Sequence, residues 1–108
     1  MAHDEGSAQL LRDTLGDLPY LEKRMFGGIC FMLNGNMTCG TTRNGAIFRV
    51  GPPGDAAALA LPGVRPMNFT GKQMAGFVEC DADVLGTDAS RDKLVRLALD
   101  FNKILPPK

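Results

Sequence analysis

Histidine is nearly absent from this chain, with His3 as the single example among 108 residues. It stands in the polar N-terminal segment MAHDEGS, where we expect no fixed geometry. Catalytic triads and Cys–His pairs both depend on an ordered histidine, so both are disfavoured here. We therefore expect a protein that is not an enzyme, and we assign no catalytic residue.

Cysteine is also scarce. The three cysteines, Cys30, Cys39 and Cys80, form no CxxC pair, so the spacing typical of zinc sites is missing. We therefore expect neither a metal nor another cofactor. An odd number of cysteines, together with the absence of a secretion signal from the N-terminal residues, indicates a cytoplasmic protein in a reducing compartment.

Net charge and long apolar runs are missing as well. Lys plus Arg equals Asp plus Glu at 12 each, and no apolar run approaches the roughly 18 residues of a membrane span. Residues 18–78 carry six basic and two acidic side chains, a net charge of +4 that a solvated surface explains best. We expect no membrane association. Direct nucleic-acid binding is disfavoured, because the chain has neither a net positive charge nor an RNA-binding motif.

What the chain does contain is periodic hydrophobicity. Leucines 10, 11 and 15 predict a helix over residues 5–17, and residues 90–103 form the strongest helical pattern, with Ser90 as its cap. Strands are predicted at about 23–33, 36–42, 46–50 and 74–80, with a short helix starting at Asp55. The prediction is one α+β domain, residues 1–108. Its antiparallel sheet is built on a three-strand meander plus one later strand, with N-terminal and C-terminal helices packed on it.

Two Asn-Gly pairs predict the turns of the meander, since a type I′ turn requires positive φ at both central residues. With Asn34-Gly35 and Asn44-Gly45 as two-residue loops, Cys30 faces Cys39. Such a pair is close enough for a disulfide. Buried free cysteine is commoner, however, and a one-residue change of register would separate the thiols. Whether they bond is left open.

The same register divides the meander into two faces. The predicted core face carries Cys30, Met32, Met37, Cys39, Phe48 and Val50. The other face is mixed and includes Phe31 and Arg49, and it is more apolar than a solvated face should be. Either a helix or another chain covers it, which makes Phe31 a candidate contact residue. We expect a protein partner, and a homodimer is one form this could take.

A basic loop offers a second type of site. Arg65, Asn68, Thr70 and Lys72 are close together in a segment that Pro66 predicts to be irregular or an edge strand. Arginine supplies a fork of donors and lysine a point charge, so Arg49, Arg65 and Lys72 are candidate anion-binding residues. A small-molecule or anion-binding protein is therefore the alternative to a protein-interaction module.

The pair Gly27-Gly28 does not form a phosphate loop, because the flanking pattern of such loops is missing. The glycines are better explained as relieving crowding, or allowing a bulge or close approach, at the hairpin entry. They also belong to a set of motifs: MFGG (Met25, Phe26, Gly27, Gly28), NGNM at 34–37, RVG at 49–51, RPMNFTGKQMAGFV at 65–78 and a final LPPK. In this order and spacing the motifs resemble the N-terminal domain of the TfoX/Sxy family over about residues 20–105.

This resemblance implies a small α+β domain with an antiparallel sheet and flanking helices. It also implies a regulatory protein, because named members regulate natural competence in bacteria together with other transcription factors. Those regulators generally carry a second, C-terminal helical domain, so the resemblance indicates a stand-alone, single-domain member of undefined role. The family supplies no catalytic residues, and its motif residues Met25, Phe26, Gly27 and Gly28 serve either structure or function.

Overall fold

The computed structural model describes residues 5–25, 27–43, 45–69 and 72–106. The helices are α1 (Glu5–Leu15), α2 (Gly51–Leu59), α3 (Ala82–Leu85) and α4 (Asp88–Ile104). The strands are β1 (Leu21–Met25), β2 (Gly28–Leu33), β3 (Asn36–Thr41), β4 (Gly45–Arg49), β5 (Val64–Phe69) and β6 (Lys72–Asp81). All neighbouring strands pair antiparallel in the order β1-β2-β3-β4-β6-β5. The predicted α+β class with its meander and flanking helices is confirmed, and the sheet has six strands where four were expected.

The two additional strands have simple causes. The predicted strand over residues 23–33 is a hairpin, β1–β2, which turns at Gly27 with a φ of 76°. β5 contains Pro66, which has no N–H to donate. Because β5 lies at the edge of the sheet, no neighbouring strand depends on that donor.

Two helices begin earlier than predicted. α2 starts at Gly51 rather than at Asp55, because the pair Pro52-Pro53 fits the first turn of a helix, where no N–H is needed. α4 starts at Asp88, and Thr87 rather than Ser90 occupies its N-cap position.

A bulge in β3 changes the predicted register. Met32 pairs with Met37 across the Asn34-Gly35 turn, as predicted, but Phe31 pairs with Cys39. Thr38 is the extra residue, and its hydroxyl donates a 2.6 Å hydrogen bond to the Phe31 carbonyl. The predicted pairing of Cys30 with Cys39 is therefore wrong.

The second turn also differs from the prediction. Thr41 pairs with Ala46, and the N–H of Thr42 donates to the carbonyl of Gly45, so Gly45 belongs to β4 instead of to the turn. Asn44 lies outside the described residues. The shift from the predicted pairing is two positions, which preserves the alternation, so Cys39 and Phe48 share a face as predicted.

All four helices contribute to the main core, which covers one face of the sheet. Helix residues such as Leu11, Leu85 and Leu94 pack there against strand residues such as Phe31 and Phe48. The opposite face carries a smaller buried cluster made only of strand residues, namely Cys30, Met37, Ile47 and Met67, with half-buried Met32 and Phe77 beside it. Because of the bulge, Cys30, Met32 and Met37 lie on this second face, and the prediction that they belong to the main core is wrong.

Arg91 holds the helical layer together. Its side chain is only 10% exposed. It donates 2.8 Å hydrogen bonds to the Thr14 hydroxyl on α1, to the Leu85 carbonyl at the end of α3 and to the Asp88 carboxylate. A buried guanidinium is costly unless its donors are satisfied, so these three partners fix the relative positions of α1, α3 and α4.

The end of α4 is bonded to the β2–β3 hairpin. The Asn102 amide donates to the Leu33 carbonyl at 3.1 Å, and the Asn36 amide donates to the Pro106 carbonyl at 2.9 Å. These bonds place the last turn of α4 at the end of the sheet where β4 also ends.

Candidate interaction surface

The three candidate anion-binding residues are not assembled into one site. Arg65 on β5 forms ion pairs with Asp81 at 3.1 Å and Glu79 at 3.4 Å, both on β6. The hydrogen bond to Asp81 and the nearby carboxylates raise the pKa of Arg65 further, so its charge is already matched within the chain. Lys72 begins β6 opposite Phe69, at the hairpin end, and its side chain lies outside the description, as does Thr70.

Phe31 is not available as a contact residue. Its side chain is fully buried in the main core, where its ring meets that of Tyr20 edge-on at 5.3 Å. A helix or another chain was expected to cover this face, and the helices cover it. The bulge at Thr38 places Phe31 with Cys39 and Phe48 beneath them. The expectation of an accessible Phe31 is therefore corrected.

The MFGG motif forms the β1–β2 turn. Met25 ends β1 opposite Gly28, and Phe26 lies outside the described residues. At Gly28 an added Cβ would lie 2.1 Å from the Thr41 carbonyl oxygen, so no larger residue fits there. Of the explanations for the glycine pair, close approach of a neighbouring strand is the one found at Gly28.

The cysteines are three separate buried thiols. Cys30 belongs to the second face, whereas Cys39 and Cys80 belong to the main core, and all three are free. Burial raises the pKa of Cys30 and of Cys80 to about 11 and raises that of Cys39 as well. A buried thiol with a raised pKa is a poor nucleophile, so these residues serve as small apolar side chains.

Arg49 occupies an unusual position at the end of β4. Its guanidinium carbon lies 5.6 Å from the ring centroid of Phe77 on β6 and 5.6 Å from that of Phe101 on α4. Both distances are within cation–π range. Across the described part of the chain, no side-chain or backbone oxygen accepts a hydrogen bond from this half-buried guanidinium, and no carboxylate pairs with it. We call the side chains of Arg49, Phe77 and Phe101 the Arg49 site.

Glycine at position 51 makes the Arg49 site possible. Gly51 has a φ of 71°, and a Cβ placed there would lie 2.2 Å from the Phe101 ring. The Phe101 ring therefore packs directly on backbone, and the adjacent Val50 N–H donates to the carbonyl of Gly76, next to Phe77. The backbone thus brings β4, β6 and α4 together at Arg49.

A small apolar groove opens beside the Arg49 site. This α2–α4 groove has a volume of about 190 Å³. It is lined mainly by apolar residues, with one carboxylate at Asp100; the lining residues are Val50, Pro53, Gly54, Leu97, Asp100, Phe101 and Ile104. Phe101 belongs to both the groove and the Arg49 site, and Ile104 at the rim is 67% exposed, which is high for a large apolar side chain. The two features therefore form one continuous surface with a cationic end and an apolar end.

A larger groove, of about 530 Å³, lies between the end of α1 and the outer side of α4. Its floor includes Leu18, Leu33 and Leu99, and its rim carries Asp92, Arg96, Asp100 and Lys103. The rim charges alternate in sign at spacings of three or four residues, which is the pattern of a solvated helix face. No described aromatic side chain lines this groove, so none of its cations is held over a ring as Arg49 is, and the Arg49 site is the better candidate.

Sequence reasoning identified Arg49 but not its aromatic partners. Phe77 and Phe101 are 28 and 52 positions further along the chain, and each falls within a pattern that also fits an ordinary core residue. The one available signal was the pair of motifs RVG and RPMNFTGKQMAGFV. These supply Arg49 and Gly51 on one side and Gly76 and Phe77 on the other.

The comparisons with known proteins place the chain in a family. A family model described as the TfoX N-terminal domain matches residues 10–102, nearly the whole chain. The chain belongs to the TfoX N-terminal domain family. The family is associated with competence regulation. Searches of curated proteins and of solved structures give no significant match.

The described part of this TfoX N-terminal domain offers no sign of a metal site, since no three His, Cys, Asp or Glu side chains are grouped suitably there. In the same residues, no helix has the length and apolar character needed to cross a membrane.

Proposed function

We propose that this TfoX N-terminal domain is a non-enzymatic regulatory module that binds another protein through the Arg49 site and the α2–α4 groove. The observation that supports this most directly is the guanidinium of Arg49. It lies over two rings and finds no acceptor within the described chain. Arginine and aromatic side chains are the types that most often dominate protein interfaces.

The neighbouring residues support the same function. Phe77 and Phe101 are half-buried, and Ile104 is largely exposed, so apolar area remains beside the cation. The family's association with competence regulation favours a regulatory protein over an enzyme. The alternative of an anion-binding loop is weakened, because Arg65 is already paired with Glu79 and Asp81.

Affinity capture from bacterial lysate tests this function when it compares matched variants. We expect Arg49→Ala to capture at least tenfold less partner than the wild type. A tenfold loss of affinity corresponds to about 1.4 kcal/mol of binding free energy. Arg65→Ala is the control, because it removes a guanidinium from the same sheet while leaving the Arg49 site intact. Circular dichroism should show that both variants fold as the wild type does.

Equal capture by the wild type and Arg49→Ala would contradict the proposal, as would a wild type that captures no partner reproducibly. Loss of capture in Arg65→Ala alone would move the interaction to the β5–β6 edge and would also count against the Arg49 site.

A further inference from the structure

We infer that the occupant of this surface is a peptide segment in which a carboxylate stands next to a bulky apolar side chain. The inference rests on the proposed function and specifies the chemistry of the partner. The carboxylate would bind Arg49, and the apolar side chain would enter the α2–α4 groove.

The carboxylate in the ligand is inferred from the guanidinium of Arg49, which has no acceptor among the described residues. A guanidinium has five N–H donors in a planar fork, a geometry that matches a carboxylate bidentately. Both rings lie within cation–π distance of the fork, and apolar surface beside it strengthens a charge-assisted hydrogen bond. The acidic groups on the neighbouring strand do not satisfy Arg49, since Glu79 and Asp81 pair with Arg65 instead.

A phosphate fits this position less well than a carboxylate. Phosphate sites usually combine several cations or use the free N–H groups at a helix N-terminus. The nearest helix N-terminus belongs to α2, and the prolines at 52 and 53 remove two of its N–H groups. Arg65, the other arginine on strands β4, β5 and β6, is already paired with Glu79 and Asp81, so it supplies no second free guanidinium beside Arg49.

The apolar side chain follows from the groove. Its volume of about 190 Å³ is smaller than the roughly 300–1,000 Å³ of pockets that enclose small-molecule ligands. One leucine, isoleucine, methionine or phenylalanine side chain suits it better. Phe101 lines the groove and also lies under Arg49, so the two contacts would come from adjacent residues of one peptide.

The charge distribution sets the direction of binding. Asp100 is exposed and lines the groove at α4, on the apolar side of the surface. A second acidic residue in the peptide at that end would be repelled, whereas Arg49 attracts one at the other end. The surface therefore distinguishes an apolar–acidic pair from a uniformly acidic peptide.

The test uses a random peptide library displayed on phage and selected on the immobilised full chain. We expect the selected peptides to share Asp or Glu next to Leu, Ile, Met or Phe. Fluorescence anisotropy with one synthetic peptide then measures affinity. Replacing its acidic residue by the amide, and replacing Arg49 by Gln in the protein, should each weaken binding at least tenfold. The two changes together should weaken it little more than either alone.

Two further variants keep the result interpretable. Ile104→Asp changes an exposed residue at the groove rim, so the fold should be retained, and it should weaken binding at least fivefold. Arg65→Ala should leave the affinity within twofold of wild type. Arg49→Lys should bind more weakly than wild type, because an ammonium cannot form the bidentate contact.

Failure of this inference is distinguishable from failure of the proposed function. If selected peptides lack an acidic residue, or bind Arg49→Gln as tightly as wild type, the inference is overturned. Selection of no peptide at all would also overturn it. After any of these outcomes, the proposed function would still hold if a partner is captured from lysate by the wild type and is lost in Arg49→Ala.

Discussion

Substituting Gly51 by alanine tests how the Arg49 site is built. Two costs contribute. A residue with a Cβ at a φ of 71° adopts the left-handed region, which costs about 1–2 kcal/mol, partly offset by the lower entropy of the unfolded chain. The added Cβ would also lie 2.2 Å from the Phe101 ring, and overpacking of this kind costs about 1–3 kcal/mol. We therefore expect Gly51→Ala to lower the free energy of unfolding by about 2–4 kcal/mol.

Gly16 provides a matched control. It has a φ of 64°, but a Cβ there would meet no atom within 4 Å. Gly16→Ala should therefore show the backbone cost alone, about 1 kcal/mol. Urea unfolding followed by circular dichroism is the appropriate assay, because the chain has no tryptophan and only one tyrosine as a fluorescent probe.

A double-mutant cycle with Phe101→Ala isolates the steric part. Once the ring is removed, Gly51→Ala should cost no more than Gly16→Ala, which gives a coupling of about 1–3 kcal/mol. If Gly51→Ala costs the same with and without the ring, Phe101 does not pack on residue 51. The described geometry of the Arg49 site would then be refuted.

Four further predictions concern other parts of the fold. Arg91→Met should lower the free energy of unfolding by about 2–4 kcal/mol in urea, because three bonds to a buried guanidinium are lost; a change below about 0.5 kcal/mol would contradict this role. Arg65→Ala should cost less than about 1 kcal/mol, because its side chain is 46% exposed and surface pairs contribute little; a larger loss would show that the pair is more than a surface ion pair. The pKa values of Cys30 and Cys80, raised by burial from 9.0 to about 11, predict that stability is full below pH 9 and falls as pH rises towards 11. Ellman's reagent should accordingly react with three thiols in denaturant and with almost none in the folded protein at pH 8, whereas rapid reaction of the folded protein would oppose their burial.

The β2–β3 hairpin shows what local sequence can predict. A type I′ turn needs two residues with positive φ, and Asn34 and Gly35 have φ values of 55° and 80°. The pairing next to the turn is therefore as predicted. Beyond it the alternation of faces fails at Thr38, because a threonine in a bulge looks like any other strand residue in a sequence. One extra residue transfers Phe31 to the helical core and Cys30 to the opposite face.

The candidate site was predictable only in part. Arg49 could be named because an isolated basic residue at a strand end is visible in the sequence. Its environment could not be, since it depends on pairing of Arg49 with Phe77 across β4 and β6 and on the position of Phe101 at the end of α4. The pairing of Arg65 with Asp81 arises from the same long-range register, and it removes a residue that sequence alone had grouped with Arg49.

Two hydrogen bonds, donated by the side-chain amides of Asn102 and Asn36, join the end of α4 to the β2–β3 hairpin. They can form only late in the synthesis of this segment. Residues 28–41 are synthesised before Asn102 and Pro106, and the intervening 60 or so residues take roughly 3–12 s to translate. Through that interval the Leu33 carbonyl and the Asn36 amide lack the partners at the end of α4 that they have in the folded chain. The β2–β3 hairpin therefore keeps one end unbonded until residues 102–106 have been added.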